Sequence, residues 1–396
     1  MKTSKSKPVW VAWLLVFSLF GALFVAGCGS SSDSSSDEVT SIGKTEGAVN
    51  LIAWAGYAED GTTDKAYDWV TPFQDKTGCQ VSTKTASTSD EMVKLMRTGQ
   101  YDGVSASGDA SVRLMEGGDV EAVDMSILSN YADINPDLKD QPYNSKDGKN
   151  YGMPHGWGAN VLLYNTDVVK PAPTSWSSVF DEKEAAKYSG KITAPDNPIY
   201  IADAAVYLKA TQPDLGIDNP YELTEDQFNA AVDLLKAQNK NIGEYWPDAT
   251  KNISSYTNGD SVIGSSWQYQ TNTLQADGQP VDATLPDEGS TGWSDTWMLS
   301  SEAAHPNCML EWMNWMASPD TQAQVAEWFG EAPANLKACD VSAAAKSNCE
   351  AYHAQDKAYF DKIAFWQTPI SDCGDGGGSD CKTYDDWVQA WTEIKG

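Results

Sequence analysis

Short runs of strand-forming residues alternate with helical patterns along the chain. The apolar run Ala48 to Trp54, the more polar Gln80 to Thr85, and Tyr101 to Ser105 have the length and residue types of strands. Between them, apolar residues three or four positions apart predict two helices, one through Tyr67, Trp69, Val70 and Phe73 and one through Met92, Leu95 and Met96. This alternation of strand and helix favours an α/β layer structure.

Capping patterns mark where further helices begin. Thr88 is followed three residues later by Glu91, and Thr224 is followed by Gln227. A side-chain acceptor with a Glu or Gln three residues on satisfies free backbone N–H groups at a helix start. Later helices are predicted over 306–315 and 321–329. Because no repeat and no long linker interrupts this pattern, any two lobes are expected to be interleaved along the chain.

The first 27 residues have the pattern of a secretory signal peptide. They contain basic residues, an apolar stretch and small residues before a cysteine: Lys2, Lys5 and Lys7, then Val9 to Phe24, then Val25-Ala26-Gly27 before Cys28. The apolar stretch is too short and wrongly flanked for a spanning helix. The cleavage site resembles the lipobox of bacterial lipoproteins, in which the cysteine carries the lipid. An ordinary signal peptide beside an unrelated cysteine is the alternative.

Residues 28–47 are predicted to be a lipid-anchored flexible linker. The stretch Gly29 to Asp37 is almost entirely Ser, Gly and Asp, and such a segment has nothing to bury in a core. The sequence therefore predicts an exported protein of the periplasm or cell envelope, held at a membrane by the lipid on Cys28.

The charge balance excludes one large class of function. The chain of 396 residues carries 56 Asp and Glu against 27 Lys and Arg, a formal net charge of −29. A nucleic-acid-binding protein needs a basic face for the phosphate backbone, so we expect no nucleic-acid partner. An acidic surface permits a cationic ligand, but it is also a common source of solubility. With 41% hydrophobic residues, a packed globular body is expected.

Export also explains the cysteines. Six remain after Cys28, and an even number in an oxidising compartment suggests disulfides. Six cysteines allow 15 connectivities. Two pairs enclose short polar loops, so we expect Cys339 with Cys349, Cys373 with Cys381, and therefore Cys79 with Cys308. A zinc site is the rival interpretation, but neither CxxC nor HxxxH spacing occurs, and we expect no metal and no cofactor.

Sequence motifs of catalysis are missing. Gly103 to Ser107 begins like a nucleophile elbow but ends in Ser where Gly is required. The sequence has no HExxH, Walker or GxGxxG motif. It has three histidines, of which His155 and His305 each adjoin a proline, a position typical of turns. We expect a protein that is not an enzyme, with a polymer-associated hydrolase as a distant alternative.

Aromatic residues beside acidic or small polar residues follow several of the predicted strands. They are Trp54 and Tyr57 after the first strand, Ser107 and Asp109 after the third, Trp267 after the apolar run 262–264, and Trp293 and Asp295 in a Gly-rich bend. Ligands of open α/β sheets bind beyond the carboxyl ends of the strands. Indole rings and carboxylates together suit an ammonium group, through cation–π contacts and charge-assisted hydrogen bonds.

From about Ala48 to Gln389 the chain resembles the periplasmic spermidine/putrescine-type receptors of ABC importers, and in particular their YdcS-like branch. The resemblance rests on long segments: LIAWAGY (51–57), TASTSDEMVKLM (85–96), SASGDASVRLM (105–115), IYIADAA (199–205), KATQPDLGI (209–217), TGWSDTWML (291–299) and FDKIAFWQTPI (360–370).

This resemblance implies a two-lobed α/β periplasmic-binding-protein fold with interleaved lobes and a ligand cleft between them. Lobe 1 would contain residues 48–153 and 296–331, and lobe 2 residues 158–292 and 335–396. The chain would cross between the lobes near Met153 to Gly158, Gly292 to Thr296 and Gly330 to Asn335.

The family also suggests which residues hold the ligand. Its cleft residues correspond here to Trp54, Tyr57, Ser107, Trp267, Trp293, Asp295 and Gln367. In the family, the Asp of the Trp-x-Asp motif is the ammonium partner, so Asp295 is the leading candidate.

Two positions depart from the family pattern. Asp109 stands where the spermidine-type receptors have a Tyr. Asp196 matches the first of two acidic residues at a helix start, whereas the second falls on Ile199 unless an insertion brings Asp203 into its place. Fewer carboxylates at the end of the cleft that receives the second ammonium would fit a short diamine such as putrescine, which we favour, or 4-aminobutyrate.

The expected mechanism is capture by lobe closure around the amine, in a monomer that then delivers the ligand to the permease and ATPase subunits of an importer. Closure requires no covalent chemistry.

Overall fold

The computed structural model describes residues 38–373 and 380–396. The signal peptide, Cys28 and the first half of the expected linker (28–37) therefore lie outside the described residues. The strands are β1 (Ala48–Ala53), β2 (Gln80–Thr85), β3 (Gly103–Ala106), β4 (Ser145–Lys146), β5 (Lys149–Asn150), β6 (Gly152–Asn165), β7 (Ile192–Pro195), β8 (Ile242–Trp246), β9 (Ile263–Trp267), β10 (Val281–Thr284), β11 (Ser290–Leu299), β12 (Ala332–Pro333) and β13 (Ile363–Phe365).

The helices alternate with these strands. They are α1 (Val70–Thr77), α2 (Ser89–Met96), α3 (Gly108–Gly117), α4 (Ser177–Phe180), α5 (Glu182–Ala185), α6 (Tyr200–Thr211), α7 (Glu225–Asn239), α8 (Ala249–Asn258), α9 (Gln268–Ala276), α10 (Pro306–Met316), α11 (Pro319–Val325), α12 (Ala343–Ala351), α13 (Lys357–Phe360) and α14 (Tyr384–Lys395). A π-helical turn, Ala326–Gly330, follows α11.

Two of the helix starts have the predicted caps. The Thr88 side chain accepts a hydrogen bond from the backbone N–H of Glu91 at the start of α2. A reciprocal capping box between Thr224 and Gln227 begins α7. Each such cap stabilises a helix by about 1 kcal/mol because it satisfies an otherwise free N–H group.

A single twisted sheet runs through the molecule in the order β2-β1-β3-β11-β6-β9-β7-β8. At one end β1 pairs in parallel with β2 and β3, and at the other end β7 pairs in parallel with β8 and β9. The long strands β6 and β11 lie between the two parallel ends and pair with each other in antiparallel fashion. The sheet therefore has two α/β ends joined by shared central strands.

Each parallel end of the sheet has its own hydrophobic core, and we call these halves the first lobe and the second lobe. In β1 the side chain of Leu51 joins one core cluster and that of Ile52 another, because successive strand residues point to opposite faces of the sheet. The core of the second lobe contains Ile192 of β7, Leu235 of α7 and Trp387 of α14. The expected α/β architecture with interleaved lobes is present.

The three segments expected to cross between the lobes fall in strands of the shared sheet. β6 contains 153–158, β11 contains 292–296, and β12 lies within 330–335 and pairs with β6.

Part of the segment expected in lobe 2 packs with the first lobe instead. Cys339, Cys349 and Tyr352 belong to the first core, whereas Trp387 and Trp391 belong to the second. The chain therefore stays with the first lobe for some time after β12, because these apolar side chains complete its core.

The cysteine pairing agrees with the expectation. Disulfides join Cys79 to Cys308, Cys339 to Cys349, and Cys373 to Cys381. The first of these ties the start of β2 to α10 across a sequence separation of 229 residues. A long closed loop of this kind restricts the unfolded chain most.

Within residues 38–373 and 380–396, none of the helices has both the length and the apolar character needed to cross a membrane.

Candidate functional site

A cavity of about 370 Å³ lies between the two lobes. The residues that end the parallel strands line it: Trp54 after β1, Ser107 after β3, Asp196 after β7, Trp246 at the end of β8 and Trp267 at the end of β9. Because the parallel strands of both lobes direct their carboxyl ends here, the cavity has the location where α/β sheets bind ligands.

Asp295 is the most buried carboxylate of the cavity wall. It lies in β11, next to a register shift between Asp295 and Thr296, and is 2% exposed. The Tyr57 hydroxyl donates to its Oδ2 at 2.7 Å, and the Ser107 hydroxyl donates to its Oδ1. Burial raises the pKa of Asp295 to about 6, while the hydrogen bonds from Ser107 and Tyr57 oppose this rise. At neutral pH the carboxylate is therefore mainly ionised, and no Lys or Arg among the described residues pairs with it.

The local fold explains why these two hydroxyls meet Asp295. Ser107 is the N-cap residue of α3, immediately after β3, and β3 pairs with β11 so that Ala106 lies opposite Thr296. Tyr57 follows β1 in a tight turn that contains Gly56 with a φ of +91°, a conformation that favours glycine.

Aromatic side chains form much of the remaining wall. Trp246 contacts Trp267 edge-on with ring centroids 5.1 Å apart, and Trp267 contacts Trp293 at 6.4 Å. Trp293 in turn contacts Phe329 at 6.1 Å. With Trp54 and Trp366, these rings surround the cavity from both lobes. Faces of indole rings attract cations by about 0.5–2 kcal/mol each.

Two further carboxylates lie on the second-lobe side. Asp196 is a cavity residue, but its Oδ1 already accepts hydrogen bonds from the ammonium of Lys395 and, at 3.0 Å, from Trp391 Nε1. Asp248 caps α8 by accepting from the backbone N–H of Lys251 at 2.9 Å. Among the described residues that line the cavity, none is Lys or Arg.

The structure brings together six of the residues predicted for the site: Trp54, Ser107, Asp196, Trp267, Trp293 and Asp295 line the cavity. Tyr57 is fully buried behind Asp295 and contacts it rather than the cavity.

Three other predicted residues lie away from the cavity. Asp109 is buried in the first turn of α3, where it accepts a hydrogen bond from Ser89, and burial raises its pKa to about 6. Asp203 is buried within α6, and burial raises its pKa to about 7. Gln367 lines a separate cavity of about 150 Å³. The direction of the helices explains the positions of Asp109 and Asp203. α3 and α6 begin at the cleft, and these side chains point from the helices into the protein interior.

Several residues at or behind the site were not predicted. Trp246, Asp248, Phe329 and Trp366 line the cavity, and Glu331 lies behind Tyr57. The signal for Trp246 and Asp248 was their position after a strand, the same rule that selected Trp54. The expectation of a turn at His155 was wrong: this residue lies fully buried in the long strand β6.

The arrangement suits binding better than catalysis. The Ser107 hydroxyl donates to a carboxylate, and the structure gives it no hydrogen bond to a histidine that would activate it as a nucleophile. Among the described residues, no cluster of His, Cys, Asp and Glu is arranged to hold a metal ion.

Comparison with known proteins gives the following matches. The family model described as bacterial extracellular solute-binding protein matches residues 68–353, more than half of the chain. The spermidine/putrescine-binding periplasmic protein of Escherichia coli K12 is 28% identical over 306 residues, covering 74% of this chain and 83% of that protein. The putrescine/agmatine-binding protein of Pseudomonas aeruginosa is 25% identical over 286 residues, covering 67% and 75%.

Solved structures share the fold. The spermidine/putrescine ABC transporter substrate-binding protein PotD of Streptococcus pneumoniae aligns with a TM-score of 0.67 at 18% identity, covering 88% of this chain and 99% of that one. The GABA receptor Atu4243 aligns with a TM-score of 0.65 at 18% identity, covering 88% and 98%. At such identities the likeness establishes the two-lobed fold and leaves the choice of ligand open.

Proposed function

Because this chain belongs to the bacterial extracellular solute-binding protein family, we propose that it is the receptor of an ABC importer and captures a small cationic amine of the putrescine/spermidine class. Relatives named for these amines support the assignment. The family is one of solute binding, and we expect no turnover of the ligand.

The observation that carries the proposal is the state of Asp295. Its carboxylate is buried at the cavity wall, has hydroxyl donors on both oxygens, and has no positive partner among the described residues. An isolated buried charge is unfavourable, so a ligand ammonium that pairs with it recovers energy that the empty site lacks. A charge-assisted hydrogen bond of this kind contributes about 1.5–3 kcal/mol.

The walls favour an amine over an amino acid. Three carboxylates and no basic side chain line the described cavity, so the potential there is negative. The carboxylate of 4-aminobutyrate would find no Lys or Arg among these residues, whereas the second ammonium of putrescine would find Asp248, since Asp196 already pairs with Lys395. We therefore place the diamine first and 4-aminobutyrate second.

Capture would proceed by lobe closure. Asp295 and Trp54 line the cavity from the crossing strand and the first lobe, while Trp246 and Asp248, at and after the end of β8, line it from the second lobe. A ligand that contacts both lobes stabilises the closed form through contacts that the open form lacks. We further propose that Cys28 anchors the receptor to a membrane through lipid and that it acts as a monomer.

A thermal-shift panel tests the ligand class. Because a ligand that binds only the folded form raises the melting temperature with concentration, putrescine should raise it most and spermidine should raise it too. The diol that replaces both amines of putrescine by hydroxyls is the matched neutral control and should have no effect. A response to 4-aminobutyrate that exceeds the response to putrescine would reverse our ranking, and a response to none of them would refute the amine class.

A further inference from the structure

Three buried side chains form a continuous chain of oxygens behind the cavity. The Tyr57 hydroxyl lies 2.7 Å from Oδ2 of Asp295 and 2.8 Å from Oε2 of Glu331. Tyr57 is 0% exposed, Glu331 1% and Asp295 2%. These residues come from the turn after β1, from the position before β12 and from β11. The hydrogen-bonded oxygens therefore join the first lobe to two of the crossing segments.

The number of hydrogen atoms shared by these three side chains is constrained. Two oxygen–oxygen contacts shorter than 3 Å each need a hydrogen between them. The phenol supplies one, and two ionised carboxylates supply none. One carboxyl group must therefore be protonated and donate to the phenol oxygen, while the phenol donates to the other.

The surroundings decide which carboxyl carries the proton. Asp295 accepts a second hydrogen bond from Ser107, whereas Glu331 has Tyr57 as its hydrogen-bond partner. Burial raises the pKa of Glu331 well above its ordinary value, and the neighbouring charge of Asp295 raises it further. Glu331 is thus the more readily protonated carboxyl group, and Asp295 is the more readily ionised one.

The other titratable groups that face this chain do not supply a charge to Glu331. From β6, His155 places Nε2 3.7 Å from Glu331 Oε1, and burial lowers the pKa of this imidazole to about 3, so the ring is neutral. From α3, Asp109 adds a further negative charge near Asp295. The cluster contains no lysine or arginine among the described residues that contact it.

The backbone is adapted to hold the Glu331 carboxyl in this place. A Cβ atom added to Gly156 of β6 would lie 2.2 Å from the Glu331 carboxyl carbon, so only glycine leaves room there.

We propose that Glu331 is a positioning residue: a buried carboxylic acid whose proton directs the Tyr57 hydroxyl at Asp295 and so keeps Asp295 ionised for a ligand ammonium. The ligand part of this inference rests on the proposed function. The position of the proton does not, because it follows from the oxygen geometry and the surroundings of the two carboxyls, with no ligand involved.

Two substitutions of Glu331 distinguish a role as a hydrogen-bond donor from a role that requires its negative charge. Glu331→Gln keeps a donor of the same shape, so putrescine affinity should stay within about threefold of wild type. Glu331→Leu removes the donor, so affinity should fall by about tenfold, and the pH below which binding weakens should move upward from about 6. In a Tyr57→Phe background, Glu331→Leu should cause little further loss of affinity, because the hydrogen bonds from Glu331 through Tyr57 to Asp295 are already interrupted.

Infrared difference spectroscopy tests the proton without ligand. At about pH 8 the carboxyls of Asp109, Asp203 and Asp295 are mainly ionised. Wild type should then show the carbonyl band of a protonated carboxylic acid that Glu331→Gln lacks. This comparison stands even if the Leu variant does not fold.

Specific results would overturn the inference. Absence of that band in wild type would show that Glu331 is ionised. Equal affinity losses in the Gln and Leu variants would assign Glu331 a charge rather than a donor role, and wild-type affinity in the Leu variant would remove any positioning role. If wild type binds no amine at all but shows the band, the proposed function fails while the protonated Glu331 stands.

Discussion

Carboxyl groups of one chemical type have different states in this protein because their neighbours differ. Asp295 has two hydroxyl donors and is ionised at neutral pH, whereas Asp203 lies within a helix and burial raises its pKa to about 7. Asp196 pairs with Lys395. The state of each carboxyl decides whether it can attract a ligand cation.

One local motif was enough to single out two residues of the cavity wall. Asp295 and Trp293 belong to a Trp-x-Asp motif and both line the cavity. Glu331 and Asp248 belong to no motif that sequence reasoning singled out. Glu331 reaches Tyr57 across a separation of 274 residues, a contact that depends on how three crossing segments pack.

The ion pair between Asp196 and Lys395 gives a prediction at this scale. The ammonium of Lys395 occupies a carboxylate that a ligand's second ammonium would otherwise use. Lys395→Met should therefore strengthen spermidine binding by about two- to fivefold, the range expected for a partly exposed ion pair. Lys236→Met, which removes an ion pair with Glu393 on the same helix α14, is the matched control and should leave affinity unchanged. Calorimetric titration that finds weaker binding in Lys395→Met would contradict this role.

At the scale of elements, the parallel strands of the first lobe were predicted, whereas the parallel strands β7 and β8 of the second lobe and the crossing strands were not. The predicted run Gln80 to Thr85 coincides with β2, and Ala48 to Trp54 exceeds β1 by one residue. β6, with the sequence GMPHGWGANVLLYN, is almost entirely buried and rich in glycine, so it has no alternation of polar and apolar positions. Its strand state depends on neighbours on both sides, β11 and β9, which are distant in sequence.

The same contrast applies to the helices. α2 and α7 begin at the predicted caps because capping is a local interaction of four residues. The helix expected over 321–329 is instead α11 followed by a π-helical turn, which ends at Gly330 with a φ of +86° just before Glu331. Such a local irregularity is set by packing near the site rather than by periodicity.

At the scale of the molecule, buried acids outnumber buried bases, and this has a consequence for stability. In the folded state the pKa values of Asp109 and Asp295 rise to about 6 and that of Asp203 to about 7, and Glu331 also rises. The folded state then binds more protons than the unfolded chain between about pH 4 and pH 7. Two histidines act in the opposite direction, since burial lowers the pKa of His155 to about 3 and also lowers that of His353, but the buried acids outweigh them.

The free energy of unfolding of the ligand-free protein should therefore fall as pH rises from about 5 to about 7. The expected decrease is on the order of 5 kcal/mol, since the folded state holds about two more protons than the unfolded chain over this interval and each contributes about 1.4 kcal/mol per pH unit. Denaturant titrations at several pH values measure this directly. Asp203→Asn, which cannot ionise, should flatten the upper part of the curve. Stability that instead increases steadily over this interval would show that these buried acids are ionised in the folded protein.

The proposed function depends most on the charge of one side chain, and isothermal titration of putrescine into Asp295→Asn tests it most directly. The amide keeps the shape and can accept from one of the two hydroxyls, Tyr57 or Ser107, while its NH2 group donates to the other, but it has no charge to offer an ammonium. We predict an affinity loss of about 10- to 100-fold with no decrease in ligand-free melting temperature, whereas the exposed Asp214→Asn should bind as wild type. Wild-type putrescine affinity in Asp295→Asn would contradict the account.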